Sequence, residues 1–525
     1  MRSWTRVVVG ALCCWLVSVA TRADDRPNIL LILADDMGWS DAGCYGGEIP
    51  TPNLDRLAEE GLRFTQFYNC SMCFPTRGAL LYGVYPQQAR GGRAERCISL
   101  AEALKSVGYR TLMTGKWGVS QSPTARGFDH YYGLLGGASN HFNPGNQRPG
   151  QRAPAFKSKG RFRRWAEDGK VFRPYSPADP KFYSTDAFTD RAIEYLDRYK
   201  GEAKPFFLYL SYSAPHFPIQ APKEDVDRFL GKYKIGWDVV RQRRFDRQKR
   251  LGVIPPHTEL SKRDPGGPLR LSRREPYHCV KNGPWTEVKN QDEWDIKMAV
   301  YAAMIVRMDR NIGRVLKKIE ELDETDNTVV LFLSDNGACA EAWHATPDVP
   351  PGPLESYRTV DLPWANASNT PFRKFKMGTH EGGIATPFIV RWPGRIAKEG
   401  AITPQIGHVM DLLPTFCEIA GVELPRTRNG SPITPSEGTS LVPVLEGKKR
   451  TVPEYLFWEN LGHKSVRQGR WKLLGYGDSS ATEKWELYDL ERDRAETKNI
   501  AAAHPDRVRQ MSRAWVEWAR RTGLQ

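Results

Sequence analysis

Two pairs of neighbouring polar residues, each directly after an apolar run, could bind a metal ion. Asp35-Asp36 follows ILLILA, and Asp335-Asn336 follows VVLFLS. Three carboxylates and an amide suit Ca²⁺ or Mg²⁺ better than Zn²⁺, which prefers histidine or cysteine ligands. Acidic strand ends are often merely solvated, so one such pair alone would mean little. Two pairs in matching positions predict a divalent cation site.

The stretch NCSMCFPTRGALLYG, residues 69–83, contains two thiols in different surroundings. Pro75 and Arg77 indicate the first turn of a helix, so Cys73 is predicted at a helix N-terminus, where backbone N–H groups attract anions. Two other interpretations stay open. Both thiols could be buried structural cysteines, or Cys70 and Cys73 could form a CxxC redox or zinc pair, although no second CxxC completes a zinc site.

Five apolar runs could position these side chains. Each has the pattern of a strand buried on both faces of a parallel sheet, and each ends in polar or charged residues. Ligands of open α/β sheets bind beyond the carboxyl ends of the strands, so the five ends are predicted to converge on one site. The runs begin at Asn28, Thr111, Pro205, Thr328 and Thr386 and end at Asp36, Lys116, His216, Asn336 and Arg391.

Helical patterns separate the apolar runs, and this alternation indicates an α/β fold. Ser99 and Glu102 match a capping box, and Gly108 stands at the C′ position of the same helix. Apolar residues recur at helical spacing over 305–319.

The character of the chain changes near Gly447. Short runs such as EYLFWE, SVRQGRWKLL and WELYDL alternate with turn residues, and Gln468-Gly469 is a predicted hairpin turn. Together with a helix predicted over about 505–520, they indicate a smaller α+β domain with an antiparallel sheet. The predicted units are a signal peptide at 1–23, a catalytic domain at 24–446 and a C-terminal domain at 447–525.

The first residues have the layout of a secretion signal. Arg2 and Arg6 precede an apolar run over 7–20 that is too short to span a bilayer comfortably, and cleavage is predicted after Ala20 or Ala23. An uncleaved anchor is the alternative, and no later run approaches the length of a stable membrane span. Export is therefore expected, to the periplasm or the exterior of a bacterium, or to the secretory pathway or lysosome of a eukaryote.

Composition describes a globular, basic protein with few cysteines. The 525 residues carry a formal net charge of +15, much of it in 147–173 and 241–274. A solvated face is the simpler explanation for either run, but an exported basic protein is predicted to meet an acidic extracellular polymer rather than nucleic acid. Without Cys13 and Cys14, which leave with the signal, seven cysteines remain, so at least one thiol is unpaired.

These residues resemble a known family. CFPTRGALLYG is similar to the signature of type I, arylsulfatase-A-like sulfatases, Cys-x-Pro-Ser/Thr-Arg followed by x-x-Leu-x-Thr-Gly, in which the cysteine is oxidised to formylglycine. Only Cys73 has Pro two and Arg four residues later, whereas Tyr82 replaces the usual Thr. NILLILADDMGWSDAGCYGG, GKW, SAPHFP, LSDNG and FRKFKMGTHEGG resemble the other family motifs, in the family's order, across nearly the whole mature chain.

The resemblance implies an alkaline-phosphatase-like α/β domain and a bound divalent cation, usually Ca²⁺, with Mg²⁺ as the alternative. The implied ligands are Asp35, Asp36, Asp335, Asn336 and the modified Cys73. It also implies that Arg77 fixes the hydrated aldehyde and that Lys116 and Lys376 hold sulfate oxygens. His216 would face the ester oxygen, and His216 or Lys376 would protonate the departing alcohol.

One residue departs from the family pattern. The family usually has Gly-Lys-Trp-His, and this His helps the aldehyde hydrate to lose its proton, but here Gly118 follows Trp117. Sulfate release is expected to be slow unless another base substitutes. His380 is a weak candidate, because many relatives carry an aromatic residue or histidine at that position.

The sequence therefore predicts an exported sulfatase that hydrolyses sulfate monoesters after maturation by a formylglycine-generating or related enzyme. The expected substrate is a sulfated glycan. One alternative is a phosphate or phosphonate monoester hydrolase of the same superfamily. The other is a weakly active or non-catalytic relative that binds sulfated glycan, for which Gly118 is the reason.

Overall fold

A computed structural model describes residues 26–145, 164–269, 277–428, 430–476 and 485–524. The predicted signal peptide and most of the basic run at 147–173 lie outside the described residues.

Strands and helices alternate through the first four fifths of the chain. The strands are β1 (Asn28–Asp35), β2 (Leu62–Tyr68), β3 (Arg110–Gly115), β4 (His130–Leu134), β5 (Trp165–Glu167), β6 (Lys170–Phe172), β7 (Phe206–Pro215), β8 (Gly267–Leu269), β9 (Tyr277–Cys279), β10 (Thr328–Ser334), β11 (Ala385–Arg391), β12 (Ala401–Thr403), β13 (Gly407–His408), β14 (Thr427–Arg428), β15 (Ser431–Pro432), β16 (Leu456–Asn460), β17 (His463–Gln468), β18 (Trp471–Tyr476) and β19 (Glu486–Asp489). The helices are α1 (Pro52–Glu59), α2 (Cys73–Tyr82), α3 (Leu100–Ser106), α4 (Ser184–Tyr199), α5 (Lys223–Val226), α6 (Trp237–Leu251), α7 (Gln291–Glu321), α8 (Asp361–Ser368), α9 (Glu381–Ile384), α10 (Leu412–Ala420), α11 (Val442–Leu445) and α12 (Pro505–Thr522).

One large mixed sheet forms the centre of the molecule. Its order is β12-β2-β11-β10-β1-β7-β3-β4-β5-β6, and β13 pairs with β2. The central strands β10, β1, β7, β3 and β4 are mutually parallel. Every residue of β1 is buried, as its aliphatic sequence predicts for a strand covered on both faces. The predicted α/β class with a mostly parallel sheet is confirmed.

The fifth apolar run is a strand, but its predicted direction is wrong. β11 pairs antiparallel with both β10 and β2. Arg391, at its carboxyl end, therefore lies at the opposite edge of the sheet from the other four ends, and its first residue, Ala385, lies at the shared edge. A run buried on both faces has the same composition in either direction, so the pattern could not distinguish them.

The predicted helix signals are confirmed where the chain is described. Ser99 caps α3, with reciprocal hydrogen bonds to Glu102, and Gly108 follows the helix with a φ of 95°. The apolar residues over 305–319 belong to the 31-residue α7, whose buried face packs on the sheet.

A separate antiparallel sheet, β16-β17-β18-β19, follows in the C-terminal part. Gly469, with a φ of 55°, lies in the tight connection between β17 and β18, and α12 packs against these two strands. The predicted antiparallel sheet and final helix are thus confirmed, while the domain boundary near Gly447 stays a prediction.

Part of the basic run at 241–274 is internal. Arg244 on α6 is buried, and its guanidinium lies 2.6 Å from Asp41 Oδ1 and 2.7 Å from Glu48 Oε2. Arg241 is also buried and donates to the Ser261 carbonyl. Arg244 thus holds the loop after β1 and Arg241 holds the segment at Ser261, so neither charge belongs to a free basic surface.

We predict that Arg244→Met destabilises the protein, because it leaves the buried Asp41 carboxylate without its cation. The expected loss in free energy of unfolding is about 3–5 kcal/mol, measured by denaturant unfolding with tryptophan fluorescence. Arg243→Met, on the exposed face of the same helix, is the control and should change stability by less than about 0.5 kcal/mol. Equal stability of the two variants would contradict this role.

Candidate active site

Four parallel strands deliver polar side chains to one edge of the sheet. Asp35 ends β1, Lys116 follows β3, His216 follows β7 and Asp335 follows β10. The strands are neighbours in the order β10-β1-β7-β3, so these carboxyl ends lie side by side. All four side chains are buried. This is the edge at which open α/β sheets place their ligands.

Two overlapping groups of donor atoms at this edge could hold a metal ion. Asp35, Cys73 and Asp335 each offer one atom, all within 4.8 Å of one another, and Asp35, Asp36 and His216 form the second group. The Asp35 Oδ1 atom is buried and has no hydrogen-bond partner in the described part of the chain. The chemistry of this set, rich in carboxylate, suits a hard divalent cation.

Asn336 joins the same cluster. Its Nδ2 donates to Asp36 Oδ1 at 2.6 Å, and its Oδ1 is buried without a hydrogen-bond partner among the described residues. An unsatisfied buried amide oxygen is costly unless a cation or a water meets it. The two unpartnered oxygens, on Asp35 and Asn336, therefore fit an oxygen-ligated cation.

Two buried lysines pair with the two adjacent carboxylates. Lys116 Nζ lies 2.5 Å from Asp35 Oδ2, and Lys376 Nζ lies 2.8 Å from Asp36 Oδ1. Burial by itself would lower the pKa of Lys376, but Asp36 and other neighbouring groups raise that pKa well above its usual value. Both ammonium groups are thus held in charged form at the same sheet edge.

Arg77 connects the cluster to α2. Its guanidinium donates to Asp335 Oδ2 at 2.8 and 3.1 Å, to the Lys116 carbonyl at 2.7 Å and to Ser211 Oγ at 2.6 Å. With all of these bonds made inside the protein, Arg77 has one fixed orientation. Burial raises the pKa of Asp335 to about 6, an effect that Asp35 increases and Arg77 opposes.

His216 contributes a neutral ring to the cluster. Burial lowers its pKa well below the usual value, and Lys376 and Lys116 lower it further. Its Nδ1 lies 2.6 Å from the Phe217 carbonyl, a contact in which Nδ1 must donate, and its Nε2 lies 3.5 Å from Asp36 Oδ2. The nitrogen that can accept a proton therefore faces the carboxylates.

The two thiols of the 69–83 stretch have different positions. Cys73 is the first residue of α2, as the sequence predicts, and burial raises the pKa of its thiol. Cys70 Sγ lies 4.0 Å from His408 Nε2, and the metal-binding groups found among the described residues do not include Cys70. All seven cysteines of the described chain are free, so no disulfide joins Cys70 and Cys73 there.

Comparisons with known proteins decide the family. A sequence model described as Sulfatase matches residues 27–422, and one described as N-sulphoglucosamine sulphohydrolase, C-terminal, matches residues 372–515. The chain belongs to the sulfatase family. An uncharacterized sulfatase of Schizosaccharomyces pombe is 33% identical, over 95% of this chain and 94% of its own. An arylsulfatase of Klebsiella aerogenes is 34% identical, over 81% of this chain and 94% of its own. These relatives support sulfuric ester hydrolase activity.

More distant relatives extend the comparison. The canine N-acetylgalactosamine-6-sulfatase is 26% identical, over 92% of this chain and 77% of its own. The crystal structure of Ps i-CgsB in complex with k-i-k-neocarrahexaose is 26% identical, with a TM-score of 0.65, and covers 94% of this chain and 93% of its own. The phosphonate monoester hydrolase of Agrobacterium radiobacter, at 19% identity and a TM-score of 0.58, shares the fold.

In this sulfatase, the backbone and the neighbours of Gly118 differ from those that a histidine at this position would need. Its φ is 79°, a left-handed conformation that favours glycine. A Cβ atom there would lie 2.7 Å from Arg77 Cδ and 3.0 Å from Phe74 Cδ1. The backbone conformation and two neighbouring side chains thus exclude a histidine without local rearrangement.

His380, the other histidine considered for the missing role, makes its side-chain contacts with the C-terminal sheet. It is buried, and its Nδ1 lies 3.1 Å from the Tyr476 hydroxyl, while its Nε2 lies 3.7 Å from Glu486 Oε2. Both partners belong to the C-terminal sheet. His380 therefore connects the segment before α9 to the C-terminal antiparallel sheet of this sulfatase.

Sequence reasoning missed three residues that contact the cluster. Ser211 Oγ meets Arg77, the Tyr301 hydroxyl donates to the Asp36 carbonyl at 3.1 Å, and Glu341 Oε2 lies 3.6 Å from Lys376 Nζ. A polar Ser211 inside an apolar strand was a usable signal. Tyr301 and Glu341 gave none, because only the fold brings them to the sheet edge.

In the part of this sulfatase that the structure describes, none of the helices combines the length and the apolar character that crossing a membrane requires.

We predict that Gly118→His lowers rather than restores activity. The new side chain must displace Arg77 or Phe74, and Arg77 orients Asp335. We expect kcat on 4-nitrophenyl sulfate to fall by about tenfold or more, which corresponds to about 1.4 kcal/mol of lost transition-state stabilisation. Val119→Ala, at the next, half-buried position, is the control. Faster turnover by the Gly118→His variant would show that only the imidazole was lacking.

Proposed function

We propose that this protein is an exported sulfatase that hydrolyses sulfate monoesters of a sulfated glycan, using formylglycine made from Cys73 and a divalent cation, Ca²⁺ or Mg²⁺. The observation that carries the proposal is the cluster at the sheet edge. There the Cys73 thiol and one carboxylate oxygen each of Asp35 and Asp335 lie within 4.8 Å of one another. The two buried ammonium groups of Lys116 and Lys376 lie beside them.

The donor set fits the proposed cation. Asp35, Asp36, Asp335 and Asn336 would hold it together with the modified Cys73, and the unpartnered oxygens of Asp35 and Asn336 support this assignment. When bound, such an ion stabilises negative charge on sulfate oxygens.

Formylglycine supplies a hydrated aldehyde as the nucleophile, which a thiol or hydroxyl cannot offer. The surroundings of Cys73 fit this modification. Its side chain lies at the start of α2 among cationic groups, where an oxygen nucleophile and a sulfate group are both favoured. Arg77, which has a single orientation, would hold the modified side chain in a fixed position relative to Asp335.

Lys116 and Lys376 are the proposed sulfate ligands. Lys116 now pairs with Asp35, and Lys376 pairs closely with Asp36 and less closely with Glu341; each lysine can exchange its nearest carboxylate for a sulfate oxygen when a substrate enters. Because both are buried, their attraction for the oxygens, where charge develops during reaction, is little screened by water.

His216 and Lys376 are the candidates for proton transfer to the departing alcohol. Lys376 is charged in the substrate-free protein, whereas His216 is neutral and presents Nε2 toward the cluster. A proton held by Lys376 could reach the ester oxygen directly or through His216.

A glycan substrate is supported by the relatives and by charge. One relative is an N-acetylgalactosamine-6-sulfatase, and another was crystallised with a neocarrahexaose. The net charge of +15 favours an anionic polymer, and the N-terminal layout supports export. We further propose a maturation enzyme that converts Cys73, and a C-terminal domain that begins near Gly447.

We predict that the peptide containing Cys73 is about 18 Da lighter than its thiol form after expression with the maturation machinery, because an aldehyde oxygen replaces the sulfur. Mass spectrometry of the digested protein measures this. Cys73→Ala should abolish turnover while preserving the circular dichroism spectrum.

Cys70→Ala is the matched control, because this thiol is also buried but lies outside the donor group. It should keep most of the activity. An unmodified Cys73 in an active enzyme, or equal loss of activity in both variants, would refute the formylglycine assignment.

We predict sustained hydrolysis of 4-nitrophenyl sulfate, at a rate at least about a hundredfold above that of 4-nitrophenyl phosphate, a difference of about 2.7 kcal/mol in barrier. Steady-state and burst kinetics measure both. Faster phosphate hydrolysis would favour the phosphate or phosphonate hydrolase alternative. A burst that stops after one equivalent of nitrophenol would favour a relative that cannot release sulfate, as Gly118 suggests.

A further inference from the structure

A half-exposed tryptophan stands close to the cluster. Trp343 is 47% exposed, more than any other Trp, Tyr or Phe of the described residues, of which Phe74 and Tyr476 come next at 39%. It lies on the loop after β10, eight residues beyond Asp335. A tryptophan offers an apolar face and a polar N–H, which makes it a common contact residue at binding surfaces, so Trp343 is a candidate for contact with a ligand.

Glu341 links this tryptophan to the proposed sulfate site. The Trp343 indole Nε1 donates to Glu341 Oε1 at 3.3 Å, and the other carboxylate oxygen lies 3.6 Å from Lys376 Nζ. The tryptophan is thus separated from the lysine by a single side chain. A substrate whose sulfate is held by Lys376 would therefore contact the indole if it extended past Glu341.

The loop is anchored before any ligand binds. The backbone N–H of Trp343 donates to Thr359 Oγ1 at 3.1 Å, and the next residue, His344, places Nε2 3.3 Å from Asp361 Oδ2. Cys339 also donates to Glu341 Oε2 at 3.0 Å. A platform that is ordered in advance loses little entropy on binding.

We propose that Glu341 and Trp343 form a carbohydrate subsite that binds a sugar ring of the substrate beside the sulfate position. This inference rests on the proposed sulfatase activity and deepens it. The apolar C–H face of a pyranose would stack on the indole, and its hydroxyls would donate to the Glu341 carboxylate.

The carboxylate also selects against a second anionic group. Ionised Glu341 can accept hydrogen bonds but cannot donate them, and it would repel a second sulfate placed near it. Burial raises the pKa of Glu341 to about 7, so pH 8 is the appropriate condition for the test. The ring at this subsite is expected to carry hydroxyl or acetamido groups rather than another sulfate.

Calorimetric titration of the full-length Cys73→Ala variant tests the subsite without requiring turnover. The probes are inorganic sulfate, N-acetylgalactosamine 6-sulfate and N-acetylgalactosamine 4,6-disulfate, at pH 8. Adding Trp343→Ala should weaken binding of the monosulfated sugar about fivefold to tenfold, the value of one aromatic contact. Inorganic sulfate has no ring, so its affinity should change less than about twofold.

Three further variants complete the design. Trp343→Phe, which keeps a ring, should retain most of the affinity, and Leu230→Ala, at an apolar side chain that is also 47% exposed, should change nothing. Glu341→Gln should raise the affinity for the disulfated sugar relative to the monosulfated one by about threefold or more.

The subsite is overturned if Trp343→Ala and Leu230→Ala bind the monosulfated sugar equally well, or if the Glu341→Gln ratio is unchanged. It is also overturned if the sugar sulfate binds no more tightly than inorganic sulfate. Failure of the proposed function has a different signature: no binding of inorganic sulfate at all, with no hydrolysis of 4-nitrophenyl sulfate by the unmutated enzyme.

Discussion

Neutralisation of buried charge is the constraint on which the arrangement of the site depends. Asp35, Asp36 and Asp335 are almost completely buried, and an ionised carboxylate out of water costs several kcal/mol unless cations meet it. Three cationic side chains neutralise these three carboxylates, and each comes from a different segment of the chain. Because the carboxylates need these partners, α2, the end of β3 and the segment before α9 are held at one sheet edge. The neutralising groups are Arg77, Lys116 and Lys376.

The C-terminal sheet stabilises this edge although it contributes none of the proposed catalytic residues. Asn460 at the end of β16 donates to Ser71 Oγ at 3.0 Å and to the Met377 carbonyl at 3.3 Å. Ser71 lies two residues before Cys73, and Met377 directly follows Lys376. One amide thus ties together the two segments that carry the proposed nucleophile and the second sulfate ligand. On β18, the buried Lys472 lies 2.7 Å from Glu381 Oε1, at the start of α9. Separating the two parts would deprive the buried Glu381 of both of its cations, Lys472 and Arg494, whereas Lys472 would keep Glu496.

Local sequence signals predicted most of this architecture, because the information lies within each segment. Aliphatic runs with polar ends revealed β1, β3, β7 and β10, and the proline and arginine after Cys73 indicated the start of α2. The direction of β11 could not be predicted, since strand direction depends on connections and not on composition. Glu341 was invisible for a related reason. Its position beside Lys376 depends on two loops that are distant in sequence and adjacent only in the folded structure.

Position 118 shows how a departure from a family pattern can be a feature of packing. The left-handed backbone at Gly118 brings this residue against Phe74 and Arg77. The Phe74 ring in turn lies 5.9 Å from Lys116 Nζ, so it helps to line the space around a proposed sulfate ligand. A side chain at 118 would push on Arg77, which holds Asp335 and the Lys116 carbonyl. Because the residues at 74, 77 and 118 are in contact, we expect substitutions at these three positions to have non-additive effects.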